Sequence, residues 1–592
     1  MENQEKDGKL KILIATAFPT HGAGSGALVT TQATSYVADG YPVHIITGDN
    51  RTDFAKIPGV EYHIVPFTAE TKDAEKIDGQ VPFNYLMFTS HTESTANFWN
   101  VPLGVVEQYC NHFKKALVEE TKEFNPDVIH AQHNWLLSSE ATRMGKPVVT
   151  TVHGTDLKGY DELARVRLAG AKKSIEHILS HGDAKLKKDF ADLEEIYHRS
   201  SSFSEIERRV KEGFPEYQFD RLADKDVENL LKGNIKSVDA SDGTKLVQLL
   251  NERTKYEFYM REAENSARNS DKIIVISESQ KKKFIKLFPY AADKVELVKN
   301  GYDPKKFYVD KSVTREQAFE GLTSNSTPDG KIPTDFDKMV LFVGKFADFK
   351  GIDSMLIATK LYEERMKAKG KKVATVIVGS GALEKGLKAE AEKLGLENTH
   401  FVGRQDHNTI NKLQNIADVS LIPSRNEPFG LVVIEGTACG HPVIACNSGG
   451  IPDILNTTGE EMPKKDIAQT KLGLLVRAVP VRPELTNDEF DQLNVLLAQY
   501  MTEKDEEEKK KCQVAIKHYF GISEDDLAEY VQATNNLADA VEKTLEGEYQ
   551  FDNEEIADYT KREYSQGVIT KRILSIFRNS MALNNKRREV HE

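Results

Sequence analysis

Short apolar runs separated by glycine-marked turns recur along the 592-residue chain, and they fall into two series. Residues 11–15, 43–47, 128–131, 148–152, 273–276 and 295–298 make the first; residues 339–344, 373–378, 400–402, 419–422 and 442–445 make the second. Runs this short fit strands buried on both faces, and the longer mixed stretches between most of them read as helices. Strands alternating with helices predict parallel sheets covered on both sides. Two such series predict two doubly wound α/β domains facing across a cleft, with ligand held at the carboxyl ends of the strands.

The pattern divides the chain. A first domain over 1–302 is interrupted at about 160–262 by a highly charged stretch with helix-start signals such as Ser204-x-x-Glu207. A linker over 303–337 follows, because 323–334 is rich in Ser, Thr, Pro and Gly. A second domain over 338–570 carries another insertion at about 482–532, opening with Thr486-x-x-Glu489. Both insertions read as helical; decoration or a contact between copies in a homo-oligomer is the plain reading. The sharper one is that the first, which follows Asp156, caps or shapes a substrate site. The stretch 571–592 predicts an amphipathic helix through Ile573, Leu574, Ile576, Phe577 and Met581.

Charge and composition narrow the partners. A net charge of −13 argues against a general nucleic-acid binder, which needs a basic face. The polar start and the lack of any long apolar run predict a soluble, cytoplasmic protein. Cys110, Cys439, Cys446 and Cys512 are scattered, so neither a disulfide framework nor a zinc site is expected. The basic Lys586-Arg587-Arg588 leaves contact with an anionic membrane surface as a second reading of the last helix.

Candidate chemistry sits at the turns. The first strand ends in Gly22-Ala23-Gly24-Ser25-Gly26, a loop in which glycines let backbone approach a phosphate. Asp49, ending the next strand, keeps a dinucleotide reading open for this segment alone. Val152-His153-Gly154-Thr155-Asp156 ends another strand, and His130, His133 and Asn134 lie one strand earlier. Ser424-Arg425-Asn426-Glu427-Pro428-Phe429-Gly430-Leu431-Val432-Val433-Ile434-Glu435 sets two carboxylates around a Pro-Phe-Gly turn where a strand becomes a helix. A helix start offers unpaired N–H groups and a positive dipole end, a seat for phosphate. Carboxylates before and beyond that seat suit hydroxyls on either side of a diphosphate, as in a nucleotide sugar.

This segment resembles the paired-glutamate motif of the retaining glycosyltransferases of family 4, which have the GT-B fold of two Rossmann-like domains. The resemblance implies that Glu427 contacts the donor sugar, Glu435 the ribose, and Phe429, Gly430 and Leu431 the sugar and pyrophosphate. Gly344-Lys345-Phe346-Ala347-Asp348-Phe349-Lys350-Gly351 is similar to the family's G-R-x-x-x-x-K-G element, whose cations hold the diphosphate; Lys345 stands where Arg is usual. By the same resemblance Gly24 and Ser25 face the pyrophosphate, Gly381 and Arg404 lie beside the nucleotide, and His153 lies near the reacting centre. His133, Asn134 and Asp156 are acceptor-side candidates, and the last helix crosses back to the first domain. Neither metal nor cofactor is implied, the nucleotide sugar being a co-substrate. A UDP sugar of the glucose or N-acetylglucosamine type and an acceptor hydroxyl of unknown identity are expected. A sugar synthase or phosphorylase of the same fold, and a non-catalytic nucleotide-sugar-binding scaffold, stand as alternatives.

Overall fold

The structure is a computed structural model that describes residues 9–20, 24–51, 54–68, 81, 83–88, 94–324, 326–327, 329–456, 466–480 and 485–591, without the side chains of Asn487 and of 586–591. The chain divides into two compact units. One comprises Met1–Ile276, Gln280–Val298 and Thr570–Glu592, the other Ser277–Ser279 and Lys299–Ile569.

In the first unit, β1 (Ile12–Ala15), β2 (Val43–Asp49), β3 (Val60–Pro66), β4 (Val128–Gln132), β5 (Val148–Val152), β6 (Lys272–Val275) and β7 (Val295–Leu297) form one sheet. Its order is β3-β2-β1-β4-β5-β6-β7, and every pairing is parallel. Strands β1, β4 and β5 are buried along their whole length, which is why they read as unbroken apolar runs. Strand β3 was missing from the sequence pattern. It lies at the sheet edge and is buried only in part, so its apolar alternation is weak. The order reverses between β1 and β4, and that switch point is where open α/β sheets bind ligands.

Between β5 and β6 the chain forms a helical layer: Arg165–His181, Ala184–Arg199, Phe203–Gly213, Asp224–Leu231 and Asp242–Asn269. The last of these runs past residue 262, and its Tyr259, Ala263 and Ala267 are fully buried in the same core as the sheet. Buried Lys255 on this helix donates to the carbonyls of Trp99 (3.2 Å) and Val101 (3.1 Å) and pairs with Glu252 at 2.9 Å. The helix thereby pins the aromatic loop around Phe98 and Trp99.

From Thr570 onward the final helix, Gln566–His591, belongs to this unit. Phe577 is buried, its ring 6.0 Å from that of Tyr36 and 5.2 Å from His130, and the Thr570 and Ser35 hydroxyls meet at 2.8 Å. The side chains of Lys586, Arg587 and Arg588, on which the membrane reading rests, lie outside the described residues. Among the described residues no helix is long and apolar enough to cross a membrane.

The second unit holds β8 (Lys338–Val343), β9 (Val373–Val378), β10 (Thr399–Phe401), β11 (Val419–Ile422), β12 (Val443–Cys446), β13 (Ile467–Gln469) and β14 (Gly473–Val476). They order as β10-β9-β8-β11-β12-β14-β13, parallel except for the antiparallel β13–β14 pair. That short pair was not recognised in the sequence. Residues 303–337, expected as a linker, are instead part of this unit. Phe319, Ile332 and Phe336 are buried against Met339, Leu341 and Leu413, so a few apolar anchors hold down a stretch whose overall composition is that of a loop.

The helices Asn487–Thr502 and Glu506–Phe520 occupy the second expected insertion. The following helix, Glu524–Leu545, lies on Ile352–Ala368 through a 3.1 Å contact between the Ser354 and Tyr530 hydroxyls and a 2.6 Å Arg365–Asp539 ion pair. Here the strand order reverses between β8 and β11.

Candidate active site

The switch point of the second sheet gathers the predicted donor residues. Strand β8 runs into Gly344 and Lys345, then a 3-10 turn over Asp348–Lys350, and Gly351 at φ 67° opens the helix Ile352–Ala368. A Cβ on Gly351 would lie 2.2 Å from the Pro423 carbonyl, so this loop touches the one that leaves β11. Gly344 N donates to Val378 O (3.0 Å), Phe346 N to Ser380 O (2.9 Å) and Gly379 N to Gly403 O (2.9 Å). The Gly379-Ser380-Gly381 turn and Gly403 thus line up beside the lysine loop. Lys345 and Arg404 are exposed.

After β11, Glu427 is buried and its carboxylate accepts from Lys350 Nζ at 2.5 Å and from the Ser424 hydroxyl at 3.3 Å. Its carbonyl accepts from Gly450 N (2.8 Å), which ties the turn to the loop after β12. Gly430 at φ 105° then starts the helix Leu431–Ala438 with no side-chain cap; Val433 N turns back to Gly430 O (3.0 Å), and the positive end of the helix dipole lies at this turn. Buried Phe429 anchors the turn. Glu435, on this helix, is partly exposed; burial raises its carboxyl to about 7 against the opposing pull of the Lys306 ammonium. The second unit therefore brings Lys350 and Glu427 into contact beside an uncapped helix start.

The first unit carries its own polar cluster at the end of β4 and β5. Asp156 is buried, and its carboxylate accepts from the backbone N–H groups of Asn134 (2.7 Å), His153 (3.3 Å) and Leu157 (3.1 Å). His153 Nε2 meets Gln132 Oε1 at 3.0 Å, and the His133 and His153 rings are 4.4 Å apart. His133 has φ 68°, a conformation rare for any residue but glycine; its Nδ1 lies 4.0 Å from Asp156 Oδ2, and among the described residues neither buried ring nitrogen has a hydrogen-bond partner. The Asn134 amide nitrogen is used on Ala263 O (3.1 Å). His130 is fully buried on the Thr151 hydroxyl at 2.8 Å and packs in the core.

Asp49 is buried at the end of β2 and its carboxylate accepts from Arg51 N (3.0 Å), which spends one oxygen on the local turn. Gly24 and Ser25 begin the helix Gly24–Ala38, whose Gly26 sits so close to the Pro19 carbonyl that a Cβ would come within 2.4 Å. His21, Gly22 and Ala23, the rest of that loop, lie outside the described residues.

The histidines give the first unit a pH dependence. Burial lowers His153 to about 4 and His130 to about 3, and burial with the His153 charge lowers His133 well below its ordinary value. The unfolded chain therefore binds more protons below pH 6.5, and the stability that these neutral imidazoles contribute is lost as pH falls from there through about 4. Asp156 works the other way. Burial raises it from 3.8 to about 7, so its contribution is present below 3.8 and lost as pH rises through 7. Three imidazoles outweigh one carboxyl. The thermal midpoint, followed by calorimetry, is expected to drop between pH 6.5 and pH 4.5, with a smaller drop in His153→Gln. A midpoint that stays level or rises toward acid would contradict this balance.

Sequence reasoning missed Arg425, Asp353 and Gln132. Arg425, on the loop after β11, and Asp353, in the first turn of the helix Ile352–Ala368, form a buried two-bond ion pair (2.9 and 2.5 Å), and Gln132 links His153 to His130. An arginine two residues before Glu427 was the only available signal.

Comparison with known proteins adds the family. Residues 22–185 match the model described as Glycosyltransferase Family 4, and residues 329–462 match Glycosyl transferases group 1. An uncharacterized glycosyltransferase of Methanocaldococcus jannaschii is 34% identical over 191 residues, 32% of this chain and 46% of the relative. The D-inositol 3-phosphate glycosyltransferase of Segniliparus rotundus is 36% identical over 170 residues, 28% of this chain and 34% of the relative. The matched part thus spans less than half the length of these relatives. Among solved structures, sucrose-phosphate synthase from Thermosynechococcus elongatus aligns with a TM-score of 0.48 at 16% identity, over 97% of this chain and 100% of that one. With one family model on each of its two Rossmann-like units, the chain belongs to the family 4 glycosyltransferases of the GT-B fold.

Proposed function

We propose that the chain transfers a hexosyl group from a nucleoside-diphosphate sugar, of the UDP-glucose or UDP-N-acetylglucosamine type, to an acceptor hydroxyl with retention of configuration. The observation that carries this reading is the 2.5 Å contact between Lys350 and Glu427 at the switch point of the second sheet, beside an uncapped helix start. A cation next to a helix N-terminus suits a diphosphate, and a carboxylate next to the cation suits the hydroxyls of the sugar attached to it.

In this reading Lys350 and Lys345 neutralise the diphosphate, Glu427 orients the sugar and Glu435 holds the ribose. Phe429, Gly430, Leu431, Gly24, Ser25, Gly381 and Arg404 complete the donor-binding set. The bond from the anomeric carbon to the phosphate oxygen breaks while the acceptor oxygen bonds to that carbon on the same face. The acceptor proton passes to the departing phosphate oxygen, so no dedicated base is required. Negative charge grows on the leaving diphosphate, and preorganised cations and amides stabilise that charge more than they stabilise the bound donor. His153 is neutral at pH 7 and serves as a hydrogen-bonding group, with His133, Asn134 and Asp156 as the hydroxyl-handling residues of the first unit.

The test is to incubate the protein with UDP-, GDP-, ADP- and dTDP-sugars and measure nucleoside diphosphate. Slow release from one donor by hydrolysis, accelerated by the correct acceptor, is expected. Absence of both binding and release across the panel would overturn the reading.

A further inference from the structure

Resting on the donor-site reading, we infer that Arg425 is a positioning residue that clasps the two catalytic loops together and sets the distance between Lys350 and Glu427. Lys350 lies on the loop after β8 and Glu427 on the loop after β11; the two strands are neighbours, but each loop reaches beyond its strand end. Something must fix their register, and the side-chain contact between the two charged groups is too exposed to charge competition to do it. A diphosphate entering the site offers Lys350 another partner.

Arg425 supplies the fixed link. Its side chain is 1% exposed. Nη1 donates to Asp353 Oδ1 (2.9 Å) and Nη2 to Asp353 Oδ2 (2.5 Å), a parallel two-bond fork. Nη1 also reaches the Asp348 carbonyl (2.7 Å), and Nη2 the Ser354 hydroxyl (2.8 Å). Arg425 N donates to Phe349 O at 2.8 Å. Every one of these partners belongs to the 3-10 turn that carries Lys350 or to the first turn of the helix behind it. Arg425 itself is two residues from Glu427. One buried guanidinium therefore binds both sides of the Lys350–Glu427 pair without touching either charged head.

A lone buried ion pair is weak evidence for stability, because desolvation offsets its attraction. Its geometric consequence is stronger. Guanidinium and carboxylate meet in one planar arrangement, whereas a lysine makes a point contact that leaves the loops free to slide. Misplacement by about 1 Å at a reacting centre can cost about 100-fold in rate.

The experiment compares Arg425→Lys, Glu427→Ala and the double variant, with nucleoside-diphosphate release measured per folded molecule. Folding is checked by circular dichroism and thermal midpoint. Arg425→Lys is expected to lower kcat by about 100-fold while KM for the donor changes by less than about 5-fold. The double variant is expected to be no slower than Glu427→Ala alone, because Arg425 acts through a group already removed. A residue that merely stabilised the fold would lower the folded fraction and leave kcat per folded molecule unchanged, and that result overturns the inference. Losses that multiply in the double variant overturn it as well. Should Arg425→Lys not fold, Asp353→Asn weakens the same fork from the other side and is held to the same outcomes. If Glu427→Ala itself keeps normal turnover, the donor-site reading fails. If Glu427→Ala is inactive while Arg425→Lys keeps kcat within about 2-fold, only the clasp fails.

Discussion

Glu427→Ala is expected to cut nucleoside-diphosphate release by about 100- to 1,000-fold while the protein stays folded. The carboxylate is buried, and Lys350 and the Ser424 hydroxyl hold it from one side. Its turn does not depend on that carboxylate, since the Glu427 carbonyl receives Gly450 N and the Ser424 carbonyl receives the Ser448 hydroxyl (2.6 Å). Truncation should leave the backbone in place and remove only the carboxylate that the proposed function assigns to the sugar. It also removes the counter-charge of Lys350, which then has more attraction to offer an incoming phosphate. Free UDP is therefore expected to bind the variant at least as tightly as it binds the wild type, even though turnover collapses. Calorimetric binding of UDP beside initial-rate kinetics separates the two effects. Loss of UDP binding together with turnover would mean that Glu427 builds the loop instead of serving the sugar. Unchanged turnover would sink its catalytic assignment.

The strands next to the switch points were legible because each is buried on both faces and therefore continuously apolar. β3 and β13 lie at sheet edges, where partial exposure mixes polar and apolar positions, and both escaped notice; so did β14, which is buried but spans only Gly473–Val476 and opens on a glycine. Residues 303–337 failed for a different reason: composition registers Ser, Thr, Pro and Gly, whereas packing is decided by Phe319, Ile332 and Phe336. The same division holds at the site. Glu427 and Glu435 could be singled out because a strand-turn-helix places them by local spacing. Asp353 could not, since its partner Arg425 is 72 residues away and only the juxtaposition of β8 and β11 brings them together. His133 was visible as a residue type near a strand end. Its positive φ and the lack of a hydrogen bond to either ring nitrogen among the described residues are properties of the folded chain.

Lys350→Ala should weaken donor and nucleoside-diphosphate binding together, and slow transfer further. Two unit charges 4 Å apart at an effective dielectric near 20 interact by about 4 kcal/mol, an upper bound on what the ammonium gives a phosphate before desolvation is subtracted. A net loss of about 30- to 100-fold in UDP affinity is the reasonable share of that. kcat is expected to fall as well, because charge on the diphosphate increases as the glycosidic bond breaks. Part of the binding loss comes from Glu427, whose carboxylate is left facing the phosphates without the ammonium now 2.5 Å away. The double variant Lys350→Ala, Glu427→Ala should accordingly bind UDP more tightly than Lys350→Ala alone, although it is expected to turn over no faster. That inversion distinguishes a charge-balanced donor site from a structural ion pair. A structural pair, once broken by the first substitution, gains nothing in phosphate affinity from the second.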